Sequence, residues 1–251
     1  MLRAALALVC ALAATPLAAR CTEGDGDWVR RACYEAPRTT GLYGHDILGA
    51  TPEWSGIRVT LGPRGRRALD HRGGTLAFET PDGTLFEDIA PRLADLDGDG
   101  RPELIVVQAD HRKGARLVAA GLGGRPYAAT PFIGQSHRWL APVGAADLDG
   151  DGRVEIAYVE TPHLGKTLKI VRLDGDRLAS VAEASGLTNH RIGDPFIQGR
   201  IATCGGHPTI LTADADWSRI VGTTLAAGRL VHRDLAPYNG PSSFDRVPGC
   251  D

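Results

Sequence analysis

The segments ADLDGDGRPEL (94–104) and ADLDGDGRVEI (146–156) say nearly the same thing twice, 52 residues apart. Each sets carboxylates at loop positions 1, 3 and 5: Asp95, Asp97 and Asp99 in the first, Asp147, Asp149 and Asp151 in the second. A fourth acid stands at position 9, Glu103 or Glu155. Three Asp within five residues repel one another unless a cation lies among them. The intervening glycines, Gly98 and Gly100 or Gly150 and Gly152, let the chain curl tightly. Such a set suits a hard cation taking about six to eight oxygens, and calcium, at two sites, is the natural candidate. DGDG alone also makes a good metal-free turn, but two full copies weigh against that reading.

An EF-hand would need a bidentate Glu at position 12 and a helix on either side. Position 12 is Val106 in one loop and Tyr158 in the other, and each loop runs into a β-rich stretch, LIVVQ (104–108) or IAYVE (156–160). The loops therefore open into strands. A loop that closes with an acid at position 9 and enters a strand directly resembles the FG-GAP, or VCBS-type, repeat of integrin-like β-propellers. That resemblance implies ligation by the acids at positions 1, 3, 5 and 9 and by the position 7 carbonyl, which adds the main-chain oxygens of Arg101 and Arg153. It also implies adhesion or complex formation. Integrin-like chains are larger and carry other domains, which leaves the partner open.

A period of about fifty residues organises the remainder. After the first loop come LIVVQ, RLVAAGL (116–122), a GGRP turn and YAATPF (127–132); after the second, IAYVE, TLKIVRL (167–173), DGDR and LASVAEA (178–184). A third unit has TILTA (209–213), RIVGTTL (219–225) and LVHRDLA (230–236), but no acidic loop, so no ion is expected there. Upstream, 41–91 reads as a degenerate unit with DIL (46–48), IRVTL (57–61), TLAFE (75–79) and LFEDI (85–89). Short strands and turns at this spacing predict an all-β fold: a small β-propeller of four or five blades over 41–251, preceded by an N-terminal extension (20–40) containing Cys21 and Cys33.

Residues 1–19 follow the secretory pattern, with Arg3, an apolar run and Leu17-Ala18-Ala19 at the exit. Export to the periplasm or beyond the cell is expected. Arg20 before Cys21 argues against a lipid anchor, and no transmembrane segment is expected in the mature chain. Cys10 lies in the leader, leaving Cys21, Cys33, Cys204 and Cys250 for two disulfides. Three pairings exist; the local pair Cys21 with Cys33, and Cys204 with Cys250, is preferred. A net charge of −2 gives no reason to expect a nucleic-acid partner.

No nucleophile elbow, phosphate loop or HExxH helix occurs. His137-Arg138 and His190-Arg191 stand 53 residues apart ahead of successive inner strands, where a propeller would bring them to its channel as a cationic ring for an anionic ligand. Packing within each blade is the plainer account of them. Core packing also accounts for Trp54, Trp139 and Trp217, and 6% aromatic residues argues against a dedicated lectin surface. The expected function is an exported, calcium-stabilised binding module for a protein or carbohydrate partner. The alternative is a hydrolase or other enzyme using the His/Arg-lined channel.

Overall fold

The computed structural model describes residues 21–38, 44–49, 51–123 and 128–251. The expected leader (1–19), the GGRP turn and Tyr127 at the head of YAATPF lie outside them, the first glycine of that turn excepted. The fold is all-β, in four successive groups of strands. The first holds β1 (Cys21–Glu23), β2 (Val29–Arg38), β3 (Glu53–Leu61), β4 (Thr75–Glu79) and β5 (Thr84–Phe86). The second holds β6 (Arg92–Ala94), β7 (Glu103–Asp110), β8 (Gly114–Gly121) and β9 (Ala128–Ala129). The third holds β10 (Leu140–Ala146), β11 (Glu155–Glu160), β12 (Thr167–Asp174) and β13 (Arg177–Ser185). The fourth holds β14 (Leu187–Thr188), β15 (Arg200–Cys204), β16 (His207–Asp214), β17 (Arg219–Ala226) and β18 (Arg229–Pro237).

Most consecutive strands within a group pair antiparallel, as short connections dictate, whereas β4 and β5 both pair with β3, and β14 and β15 both with β16. Groups two, three and four share one feature: an inner strand turns back on the next, β6 on β7, β10 on β11 and β15 on β16. In groups two and three the acidic loop makes that turn. In group four Gly205 and Gly206, at φ of 57° and 85°, make it in two residues between Cys204 and His207. The inner strand β10 packs beside both β6 and β15. One larger sheet runs from β1 through β3, β7 and β9 to β13 and on to β10, and β14 to β18 form a smaller one. Neither path closes on itself, so blade number and ring closure do not follow from strand pairing.

Side-chain alternation explains why the central strands are apolar throughout. On β7, Leu104 and Val106 face a cluster with Tyr34, Trp54 and Val59, while Ile105, Val107 and Ala109 face Leu140, Ile156 and Tyr158 of the next group. On β11, Ile156 and Tyr158 point back to that second cluster, and Ala157 and Val159 point onward to Leu168, Ile170, Ile210 and Val221. Successive residues of a strand face opposite ways, so a strand sandwiched between two groups must be hydrophobic at every position. Each such Ile, Val or Leu contributes roughly 1.5–3 kcal/mol when fully buried.

Three segments differ from their sequence reading. DIL (46–48) lies at a turn, not in a strand: the N–H of Gly49, at φ of 59°, reaches Asp46 O at 3.1 Å, and Ile47 and Leu48 enter the core. Residues 20–40 contribute β1 and β2, and β2 pairs with β3 from Val29↔Leu61 to Arg38↔Glu53. Pro63–Ala68 form a helix, α1, begun by Pro at its first turn, where its fixed φ fits and its missing N–H costs nothing. Both preferred disulfides form, Cys21–Cys33 and Cys204–Cys250. The second ties the C-terminal tail, whose Phe244 and Val247 pack on Leu211, Ala213 and Ile220, to the fourth group. Among the described residues no helix is long and apolar enough to cross a membrane.

Candidate metal centre

The two acidic loops fold by one hydrogen-bond scheme. In the first, Asp95 Oδ1 accepts from Gly98 N at 2.9 Å and Oδ2 from Gly100 N at 2.8 Å. In the second, Asp147 accepts from Gly150 and Gly152 at 2.8 and 2.9 Å. Asp97 and Asp149 take the N–H of Asp99 and Asp151 at 3.2 and 3.3 Å, and Asp99 and Asp151 take that of Arg101 and Arg153, both at 2.9 Å. The position 1 Asp thus draws two amides around itself. Gly98 and Gly100, at φ of 75° and 81°, supply the left-handed turns this needs.

Position 2 explains the Leu of DLDGDG. Leu96 and Leu148 are buried, while their N–H groups donate to Glu103 Oε2 and Glu155 Oε2, each at 2.9 Å. The position 9 acids are therefore buried beneath the loops, at 3% and 0% exposure, and fasten loop to strand.

Carboxylate oxygens of Asp95, Asp97 and Asp99 all lie within 4.8 Å of one another, as do those of Asp147, Asp149 and Glu155. Oxygens on opposite sides of a calcium ion, each about 2.3–2.6 Å from it, stand about 5 Å apart, so either set has the dimensions to hold such an ion. The two trios differ. Glu103 is not in the first, and Asp151 is not in the second. In the second loop Arg172, which pairs across the ladder with Glu155, lies among the acids. Its guanidinium reaches Asp149 Oδ2 at 3.1 Å, Asp151 Oδ2 at 2.9 Å and, closer still, Glu155 Oε1. Burial raises the pKa of Glu155, against the opposing effects of the Leu148 N–H and Arg172; the Arg153 N–H and then Arg172 lower that of Asp151. At the matching register of the first loop, Glu103 faces Gly121. Nothing in the repeat pattern marks Arg172, because its role depends on strand register.

The His/Arg positions separate. His137 and His190 both approach the buried Trp139, joined by His45 and His163: His45 and His137 rings are 5.3 Å apart, and Trp139 and His190 4.9 Å. His163 Nε2 and His190 Nδ1 share a 2.9 Å hydrogen bond, and His190 Nε2 is 2.9 Å from Asp194 O. Burial lowers the pKa of both, His163 to about 4. Arg138 joins this group along a cavity of about 20 Å³. Arg191 does not; it stacks over Trp217, 4.6 Å from the ring centre. His45 and His163 fall outside the His-Arg repeat, which is why the repeat alone does not reveal a four-histidine cluster. Trp54 and Trp139 are core residues at 2% exposure each.

None of the curated proteins matches the chain. Among solved structures, the chain is similar to a Bacillus licheniformis rhamnogalacturonan lyase, at 18% identity and a TM-score of 0.40, covering 77% of this chain and 43% of that one. The model of the FG-GAP-like repeat matches residues 95–158, from the first Asp of loop one through loop two to the Tyr of the strand beyond it. Over that stretch, which holds both acidic loops, the chain carries an FG-GAP-like repeat.

Proposed function

We propose that this protein is an exported β-propeller of four or five blades that serves as a binding module, with calcium as a structural cation in two loops. The observation that carries the reading is the shared hydrogen-bond scheme of the loops, which gathers three carboxylates in each within 4.8 Å. The ligands are Asp95, Asp97, Asp99 and Glu103 with the Arg101 carbonyl, and Asp147, Asp149, Asp151 and Glu155 with the Arg153 carbonyl. Calcium there offsets the mutual repulsion of the acids and fixes the turn between an inner strand and its neighbour. Two disulfides and a secretory leader support an oxidising compartment, where sites of about 10⁻⁴–10⁻³ M suffice. The partner is a protein or a carbohydrate. The competing hydrolase reading needs His137, Arg138, His190 and Arg191 in one channel, whereas Arg191 stacks over Trp217 apart from the histidine cluster.

The test is thermal melting of chelator-stripped protein with and without millimolar calcium, beside the double variant Asp97→Ala, Asp149→Ala. Each filled site contributes roughly 1–3 kcal/mol when calcium is well above its dissociation constant. A rise of several degrees that disappears in the double variant is the expected result. An unchanged melting temperature in the wild type would refute calcium ligation.

A further inference from the structure

The fourth group buries one face against the third, through Ile210 and Val221, and turns the other away from it. The C-terminal tail covers part of that second face, where Phe244 and Val247 pack on Leu211, Ala213 and Ile220. The rest is the floor of a cavity of about 790 Å³. Residues paired across a ladder point the same way. Leu211 pairs with Gly222, Gly222 with Arg233 and Thr224 with Val231, which sets Arg233, Thr224 and Val231 on the face that carries Leu211. A bulge between Ile220 and Val221 brings Leu235 over Gly222, where a Cβ would lie 2.5 Å from Leu235 Cδ1. The missing side chain thus lets Leu235 lie along the floor.

Pro248, Gly249 and Cys250 of the tail form one wall. The Cys204–Cys250 disulfide holds that wall in place, with the N–H of Gly205 donating to Gly249 O at 3.1 Å and that of Asp251 to Thr203 O at 3.2 Å. The recess is therefore preformed. Arg233 and Val231 are exposed, Val231 at 46%, so both are open to a ligand in this space. Arg233 is the one guanidinium among the described residues that line it, and the one lining carboxylate, Asp149, is already paired with Arg172 at 3.1 Å. The charge left for a ligand is positive. Most of the remaining lining is aliphatic, and it includes no Phe, Tyr or Trp on which a sugar ring could stack.

We propose that this recess binds an aliphatic carboxylic acid, its carboxylate on the Arg233 guanidinium and its chain along Val231, Leu235 and Pro248. The volume lies within the roughly 300–1,000 Å³ of small-molecule sites. The second acidic loop contributes a wall through Leu148, Asp149 and Gly150, but the site takes its charge from Arg233 and does not depend on calcium ligation.

Calorimetric titration of the whole protein with octanoate and with decanoate tests it, beside 1-octanol as the neutral control and octylammonium as the cationic one. Both acids should bind saturably, decanoate about tenfold more tightly for its two extra methylenes. Either control should bind about tenfold or more weakly than octanoate, and Arg233→Gln should weaken decanoate by a similar factor, as loss of a charged hydrogen bond implies. Val231→Glu should weaken both acids by like-charge repulsion. Both substituted positions are exposed, so the variants keep the fold. No saturable binding of decanoate at about 10 mM, equal affinity for the two acids, a control that binds as tightly as octanoate, or unchanged affinity in either variant would overturn the proposal.

Discussion

Arg172→Ala removes the one guanidinium that touches Asp149, Asp151 and Glu155 of the second loop. The three acids differ in exposure: the Glu155 side chain is at 0%, Asp149 at 20% and Asp151 at 42%. Removing one partner of a fully buried pair costs roughly 3–5 kcal/mol, because the remaining charge is left uncompensated. Water can reach the two aspartates, so the net loss here is set somewhat lower, at about 2–4 kcal/mol. For a domain of this size each kcal/mol moves the melting temperature by about 2–4 °C, giving a fall of about 5–15 °C in chelator. Calcium brings two charges where the guanidinium brought one. At a hundredfold excess over its dissociation constant it restores about 2.7 kcal/mol, most of the deficit. Differential scanning calorimetry with chelator and with calcium should therefore show a larger calcium shift in the variant than in the wild type. Melting within about 2 °C of wild type in chelator, or a deficit that calcium leaves untouched, would refute the view that Arg172 stands in for a loop cation.

Acid should weaken the histidine cluster. Burial lowers the His163 pKa to about 4, while in the unfolded chain it returns to about 6.5. The group's contribution is thus fully present above about 6.5 and is lost as pH falls toward 4, so urea denaturation should show stability dropping through that window, less steeply in His163→Asn. The disulfides should differ in worth. By the chain-entropy estimate, opening Cys204–Cys250, 46 residues apart, costs about 4 kcal/mol, against about 3 kcal/mol for Cys21–Cys33, 12 apart. Denaturant midpoints of the two Cys→Ser pairs should rank in that order; the reverse would mean that strain or residual unfolded-state structure dominates.

Much of the architecture is legible because its determinants are local. The loops announce themselves through Asp at positions 1, 3 and 5 with glycine between, and the strands beyond them through apolar runs too short for helices. What stays hidden depends on register or on contacts between groups. Arg172 reads as one polar residue in TLKIVRL until strand pairing sets it opposite Glu155. Ile47 and Leu48 read as strand residues, but the Asp46–Gly49 turn lets them fill the core without any ladder partner. His45, between β2 and β3, and Glu87, just past β5, are 42 positions apart and meet only through the folding of group one on itself. The extension 20–40 reads as an appendage from its two Cys and the DGD cluster at Asp25 to Asp27, whereas β2 within it buries Val29, Ala32 and Tyr34 and pairs with β3.

The sandwiching of β7 and β11 bears on how the chain can be divided. Neither strand has a face of its own: half of its side chains complete the hydrophobic cluster of the group before it, half that of the group after. Stability is then held jointly by neighbours, as in a stacked array whose coupling lies at the joints. A cut in the 130–138 connection would leave Ile105, Val107 and Leu117 on one fragment and Leu140, Ile156 and Tyr158 on the other, each a bare apolar wall. Such fragments should aggregate alone and recover solubility when mixed, because each is the other's missing interior.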